Sequence, residues 1–232
     1  MNLQKDDYQQ RRQVFEFCGW IHEKLIQLSQ EPDFEELYFE RKGDFLKKLI
    51  EEAIPVSYFG LFLSREWNEV FIQCFTDIPH YDAIVEIQNP LRILKETIKV
   101  EVTSTEDNPN VMRRQALARD GFAHLTGTVK REGRNIKTEG EFVETEEESE
   151  KVIQLALEGL ERKLKNAYDN QTAILIYVTG FRQLAHHHRF KLIEETKRLL
   201  REKKPTLYGV FFCYSSNRGV DGIILNQMFF SP

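Results

Sequence analysis

Two short stretches, DAIVE from Asp82 to Glu86 and IKVEVT from Ile98 to Thr103, alternate apolar and polar residues with a period of two. Only a β-strand sends every second side chain to the same side, so this pattern constrains the fold more than any other feature. Tyr81, Ala83 and Val85 share one face of the first strand, and Asp82, Ile84 and Glu86 the other. Ile98, Val100 and Val102 likewise oppose Lys99, Glu101 and Thr103, after a break at Asn89-Pro90. If the two strands are neighbours, Asp82 and Glu101 project from one surface of a sheet. Two carboxylates held close on rigid strands suit a hard divalent cation, Mg²⁺ or Mn²⁺.

The rest of the chain supplies helices to cover such a sheet. Val14, Phe17, Cys18, Ile21, Leu25 and Leu28 recur at helical spacing, ending near Glu31-Pro32. A second helix is expected over 34–40. A third begins at Asp44 as N-cap and closes at Ile54-Pro55. The following YFGLFL reads equally as strand or helix. Strands are expected over 69–75, 81–87 and 98–103, and a helix over 110–120 stopped by Gly121. A hairpin turning at Glu132-Gly133 follows, then an amphipathic helix over 145–166 with Val152, Leu155, Leu157, Leu160 and Leu164 inside. AILIYVT reads as a buried strand, 190–203 as a helix, and 207–214 and 222–226 as the last strands. This order predicts a three-layer α/β/α domain with a mixed central sheet over 1–232, carrying 122–170 as a hairpin-plus-helix insertion.

The 232 residues suffice for one large domain, and no apolar run approaches the roughly 20 residues of a membrane-spanning helix. The N-terminus lacks a secretory h-region, and the three cysteines (Cys18, Cys74, Cys213) sit singly among apolar residues, so a cytoplasmic location with reduced thiols is expected. A net charge of −5 argues against a chain wrapped in nucleic acid. The acidity is concentrated in EGEFVETEEESE, however, and the remainder is near neutral.

These residues and this element order resemble the restriction-endonuclease-like, or PD-(D/E)xK, nuclease superfamily. Asp82 matches the motif aspartate, with Pro79 three residues before it. Glu101 opens the second motif 19 residues later, and Thr103 stands where the family carries lysine. The resemblance implies metal-dependent phosphodiester hydrolysis, with Asp82 and Glu101 as ligands to Mg²⁺ or Mn²⁺. A further acidic ligand is implied from the preceding helix, Glu51 or Glu52 ahead of Glu36 or Glu40. Thr103 can hydrogen-bond water but supplies no positive charge, so Lys99, Arg113, Arg114 or Gln115 would take the lysine's part. Arg113, Arg114, Lys130, Arg131 and Arg134 are the phosphate-contacting candidates, with Lys137 beside them. The implied partner is nucleic acid, DNA ahead of RNA, and nucleases of this fold commonly act as homodimers.

Each feature also has a plainer reading. A Lys99–Glu101 ion pair would satisfy both charges without a metal. With the lysine lost, the chain becomes a catalytically inactive nuclease-like domain that binds nucleic acid or protein. His186, His187 and His188 point about 100° apart on a helix and read as a solvated helix start. His80 and His124 take ordinary structural roles, and the acidic run is a helix N-terminus matched to the macrodipole.

Overall fold

The computed structural model describes residues 5–41, 43–66, 68–76, 81–89, 94–133, 135–179, 184–215 and 219–225. The alternating stretches form the centre of a seven-stranded mixed sheet in the order β1-β2-β3-β4-β7-β8-β9. Here β1 is Arg12–Gln13, β2 Glu69–Cys74, β3 Ala83–Asn89, β4 Leu94–Ser104, β7 Thr172–Val178, β8 Gly209–Tyr214 and β9 Val220–Ile224. β2, β3 and β4 form an antiparallel meander, whereas β4, β7 and β8 run parallel. The remaining strands, β5 (Thr128–Glu132) and β6 (Asn135–Glu139), pair in a separate two-stranded sheet.

Helices cover both faces. On one, Val14, Phe17, Ile21 and Leu28 of α2 (Val14–Ser29) pack with Val56 and Phe59 of α5 (Ile54–Leu63) onto Val70, Ile72, Val85, Val100, Val102 and Leu175. On the other, α7 (Thr145–Lys163) and α8 (His186–Lys203) pack on Ile174, Ile176, Val210 and Phe212. Successive residues of β7 thus enter opposite cores, which is why all seven are buried. The stretch 122–170 divides: its hairpin stands apart from the central sheet, while α7 spans from β4 to β7 against it. α7 buries Ser149, Ile153, Ala156, Gly159 and Leu160, with Val152, Leu157 and Leu164 only partly covered. The inward stripe is therefore rotated from the leucine pattern, because the small residues Ala156 and Gly159 let the backbone approach the sheet.

α1 (Lys5–Tyr8) and β1 are too short to leave a periodic signal, and were not expected. α3 (Phe34–Glu40) matches its expected span. α4 (Asp44–Lys48) starts one residue earlier than expected, since Gly43 at φ 95°, and not Asp44, is its N-cap. Pro55 does not close this helix. A π-turn over Leu49–Ala53 leads directly into α5, with the Ile54 amide donating to Leu49 O. The wider turn spreads the carbonyls that would otherwise meet the Pro55 ring, and Pro55 falls in the first turn of α5, where its missing N–H costs little. YFGLFL is thereby helical. α6 (Asn108–Asp120), stopped by Gly121 at φ 67°, packs on α3 and the hairpin. Among the described residues no helix is long and apolar enough to cross a membrane.

Candidate active site

Register brings the two motif carboxylates together. Ala83 pairs with Val100, and Asp82 N–H donates to Val100 O at 2.8 Å, so the next step of the ladder sets Asp82 across from Glu101. The Asp82 carboxylate accepts from Val102 N–H at 2.7 Å, which fixes it at the end of β3. Burial pushes its pKa above the usual carboxylate range, against the opposing pull of that amide, Lys163 and Lys48. Pro79 and His80 lie outside the described residues.

Glu52, on the π-turn, is the third carboxylate. Its Oε2 is buried without a hydrogen-bond partner; the nearest cation, Lys48 Nζ, stands at 3.6 Å. Burial first, and the Asp82 charge second, push its pKa up to about 7. A carboxylate oxygen buried without a donor is the kind of group a cation satisfies. Its neighbour Glu51 faces elsewhere: Arg41 binds Glu51 and Glu106 together, and Arg114 holds Glu106 at 2.5 and 2.9 Å.

Glu101 is engaged by Lys163, in the last turn of α7. The fit follows from spacing. A Cβ on Gly159 would lie 3.7 Å from Thr103 Cγ2, so α7 rests at contact distance over β4. Four residues along a helix rise about 6 Å and two along a strand about 6.7 Å, so Lys163 comes over Glu101 as Gly159 does over Thr103. Arg162 donates weakly to Thr103 Oγ1 at 3.4 Å. Tyr168, just beyond α7, feels the charges of both Glu101 and Asp82.

Lys163 is the residue that sequence reasoning missed. Its signal was its place at the end of an amphipathic helix, four residues after the glycine that meets Thr103. Lys99 instead binds Asp169 at 2.6 Å, so neither the expected catalytic assistance nor a Lys99–Glu101 pair describes it. Gln115 lies on α6 and accepts from Arg131 at 2.5 Å, tying the hairpin to that helix.

Two of the arginine candidates, Arg113 and Arg114, are held in structural contacts. Arg113 is 7% exposed and donates to Asn110 Oδ1 at 3.0 Å and Gly127 O at 2.6 Å, holding the loop before the hairpin. Gly127 there has φ 92°, and a Cβ would meet Glu139 O at 2.2 Å, so only glycine fits. Arg114 gives its guanidinium to Glu106 and Phe39 O. Lys130 is exposed on the hairpin, Lys137 binds Glu132 beside it, and Arg134 lies outside the described residues. His124 donates its backbone N–H to Thr138 Oγ1 and packs its ring on Phe122, within the hairpin region.

A cleft of about 880 Å³ lies away from this site, between α6, the hairpin and α7. Its walls carry Glu147, Glu148, Glu150, Glu158 and Glu161 against Arg113, Lys151 and Lys191, a poor lining for a polyanion. The donor atoms of Glu52, Asp82 and Glu101 are more openly spaced than a closed metal shell: among the described residues the group drawn within 4.8 Å is a different one, Glu146, His187 and His188. The arrangement as it stands is three acidic groups balanced by two lysines at the end of a meander. No family model, curated protein or solved structure matches the chain.

Proposed function

We propose that the chain is a Mg²⁺- or Mn²⁺-dependent nuclease on a restriction-endonuclease-like core, acting on DNA ahead of RNA. The observation that carries this reading is the grouping of Glu52, Asp82 and Glu101, from the π-turn, the start of β3 and β4, with Lys163 against Glu101. The α/β layout supports it: a meander, a helix on the far face and a parallel strand follow in the order that family uses.

The donor set fits a hard cation, being all carboxylate oxygen, with one buried oxygen that has Lys48 at 3.6 Å but no hydrogen-bond partner. Glu52, Asp82 and Glu101 would hold the ion, with Glu52 in place of Glu51. When bound, it polarises the phosphate and acidifies a water. Lys163 supplies from α7 the positive charge that Thr103 cannot supply from β4. Its ammonium stabilises charge gathering on the phosphate oxygens. Asp82, pinned by Val102 N–H, holds a fixed geometry through the reaction.

The test is cleavage of single- and double-stranded DNA and RNA in Mg²⁺, Mn²⁺ or EDTA. The wild type is expected to cut only with metal, and Asp82→Asn, Glu101→Gln and Lys163→Met each to cut at least ~100-fold more slowly. A specific observation favours a second reading, a catalytically inactive binding module: the Lys163 ammonium is ion-paired with Glu101. Nucleic-acid binding that survives all three substitutions, with no cutting in any metal, would select that reading.

A further inference from the structure

The three consecutive histidines do not all face solvent at the start of α8. His188 is 2% exposed, and its ring lies 3.9 Å, centroid to centroid, from that of His187. Both Nε2 atoms point at one oxygen of Glu146, in the first turn of α7: His188 at 2.9 Å and His187 at 3.7 Å. We propose that Glu146, His187 and His188 bind a borderline divalent transition-metal ion of the Zn²⁺ class, clasping the start of α7 to the start of α8.

The spacing carries the argument. Ligands about 2.0–2.1 Å from a tetrahedral ion stand about 3.3–3.4 Å apart, and the two recorded separations, 2.9 and 3.7 Å, bracket that value. The 2.9 Å approach is a hydrogen bond, and the 3.7 Å approach lies beyond hydrogen-bonding range but within ion-pairing range, so both histidines already turn toward the same carboxylate oxygen. All three donor atoms lie within 4.8 Å of one another. Packing holds the His188 ring, whose Nδ1 is buried without a hydrogen-bond partner. Glu146 and His187 are 63% and 68% exposed, so water can complete the shell. Two imidazoles and one carboxylate select Zn²⁺, Co²⁺ or Ni²⁺ over Mg²⁺ and Ca²⁺, which prefer oxygen. The convergence of adjacent histidines is possible because one points into the core while the other lies along the surface, and Glu146 sits in the angle between them.

The test strips the full chain of metal with a chelator and titrates it with Co²⁺, following visible absorption, and with Zn²⁺ by calorimetry. With millimolar Mg²⁺ present throughout to occupy the carboxylate site, one equivalent is expected. His187→Ala and Glu146→Gln, both at exposed positions that leave folding intact, should weaken binding by at least about tenfold. Asp82→Asn should retain the full equivalent, which separates this site from the carboxylate site. Zn²⁺ should also raise the Tm of the wild type and not of His187→Ala. Absence of a saturable equivalent in the wild type, or an equivalent undiminished in His187→Ala, overturns the proposal.

Discussion

Glu52 and Glu51 are adjacent carboxylates with opposite surroundings. Glu51 has the Arg41 guanidinium, whereas Glu52 has a buried oxygen, Asp82 nearby and Lys48 at 3.6 Å. Between its ordinary value of 4.5 and about 7, folded Glu52 holds a proton that the unfolded chain has released. Stability therefore falls as pH rises through that window, by roughly 3 kcal/mol for a shift of this size before solvent screening is allowed for. Glu52→Gln is expected to raise Tm relative to wild type at pH 8 and to leave it nearly unchanged at pH 4.5, as differential scanning fluorimetry can measure. A cation held by Glu52 would reverse the penalty, so Mg²⁺ should stabilise the wild type at pH 8 more than Glu52→Gln. Asp82 and Glu101 were legible from strand alternation, because period-two patterning reports which side a residue takes. Glu52 could not be separated from Glu51, since the choice depends on the local helical pitch, which apolar spacing does not encode.

At the scale of elements, α7 positions Lys163 against Glu101. Its contact with β4 depends on the small side of the helix. Gly159→Ala adds a methyl at ordinary contact distance from Thr103 and replaces a poor helix former. It should hold or raise stability by up to about 1 kcal/mol and keep cleavage. Gly159→Leu overfills the same contact, and should cost about 1–3 kcal/mol in urea denaturation. It should also slow cleavage by separating Lys163 from Glu101. The meander, β7 and most helix spans were readable from apolar periodicity and from Gly121. Pro55 misled, because a proline ends an α-helix but is accommodated where a π-turn has already opened the hydrogen-bond ladder. The inward face of α7 misled for a related reason: leucines mark apolar surface, whereas close approach to a sheet is set by Ala156 and Gly159.

For the whole molecule, charge is distributed in a way composition does not disclose. Arg113 and Arg114, which read as a basic patch, are spent on Gly127, Glu106 and Phe39. Among the described candidates, exposed positive charge is left chiefly to the hairpin, at Lys130 and Arg131. Fluorescence anisotropy with duplex DNA between 50 and 200 mM salt should register it. The double substitution Lys130→Ala, Arg131→Ala should flatten the slope of log K against log salt by about 2, each phosphate contact contributing about 0.9. Arg113→Ala should instead lower Tm, by releasing a buried loop, and leave that slope unchanged.

The π-turn has a consequence for lineage as well as for chemistry. A π-turn uses one more residue per loop of helix than its neighbours do, so Leu49–Ala53 acts as a phase shift between α4 and α5. Deleting a single residue there would let the two helices run in step and would rotate everything before it by about 100° relative to α5. Were Glu51 or Glu52 the residue deleted, one glutamate would remain to serve two destinations, the Arg41 network and the carboxylate group beside Asp82. Relatives lacking this extra residue would have to surrender one of the two, and the one they keep would show which mattered more to selection.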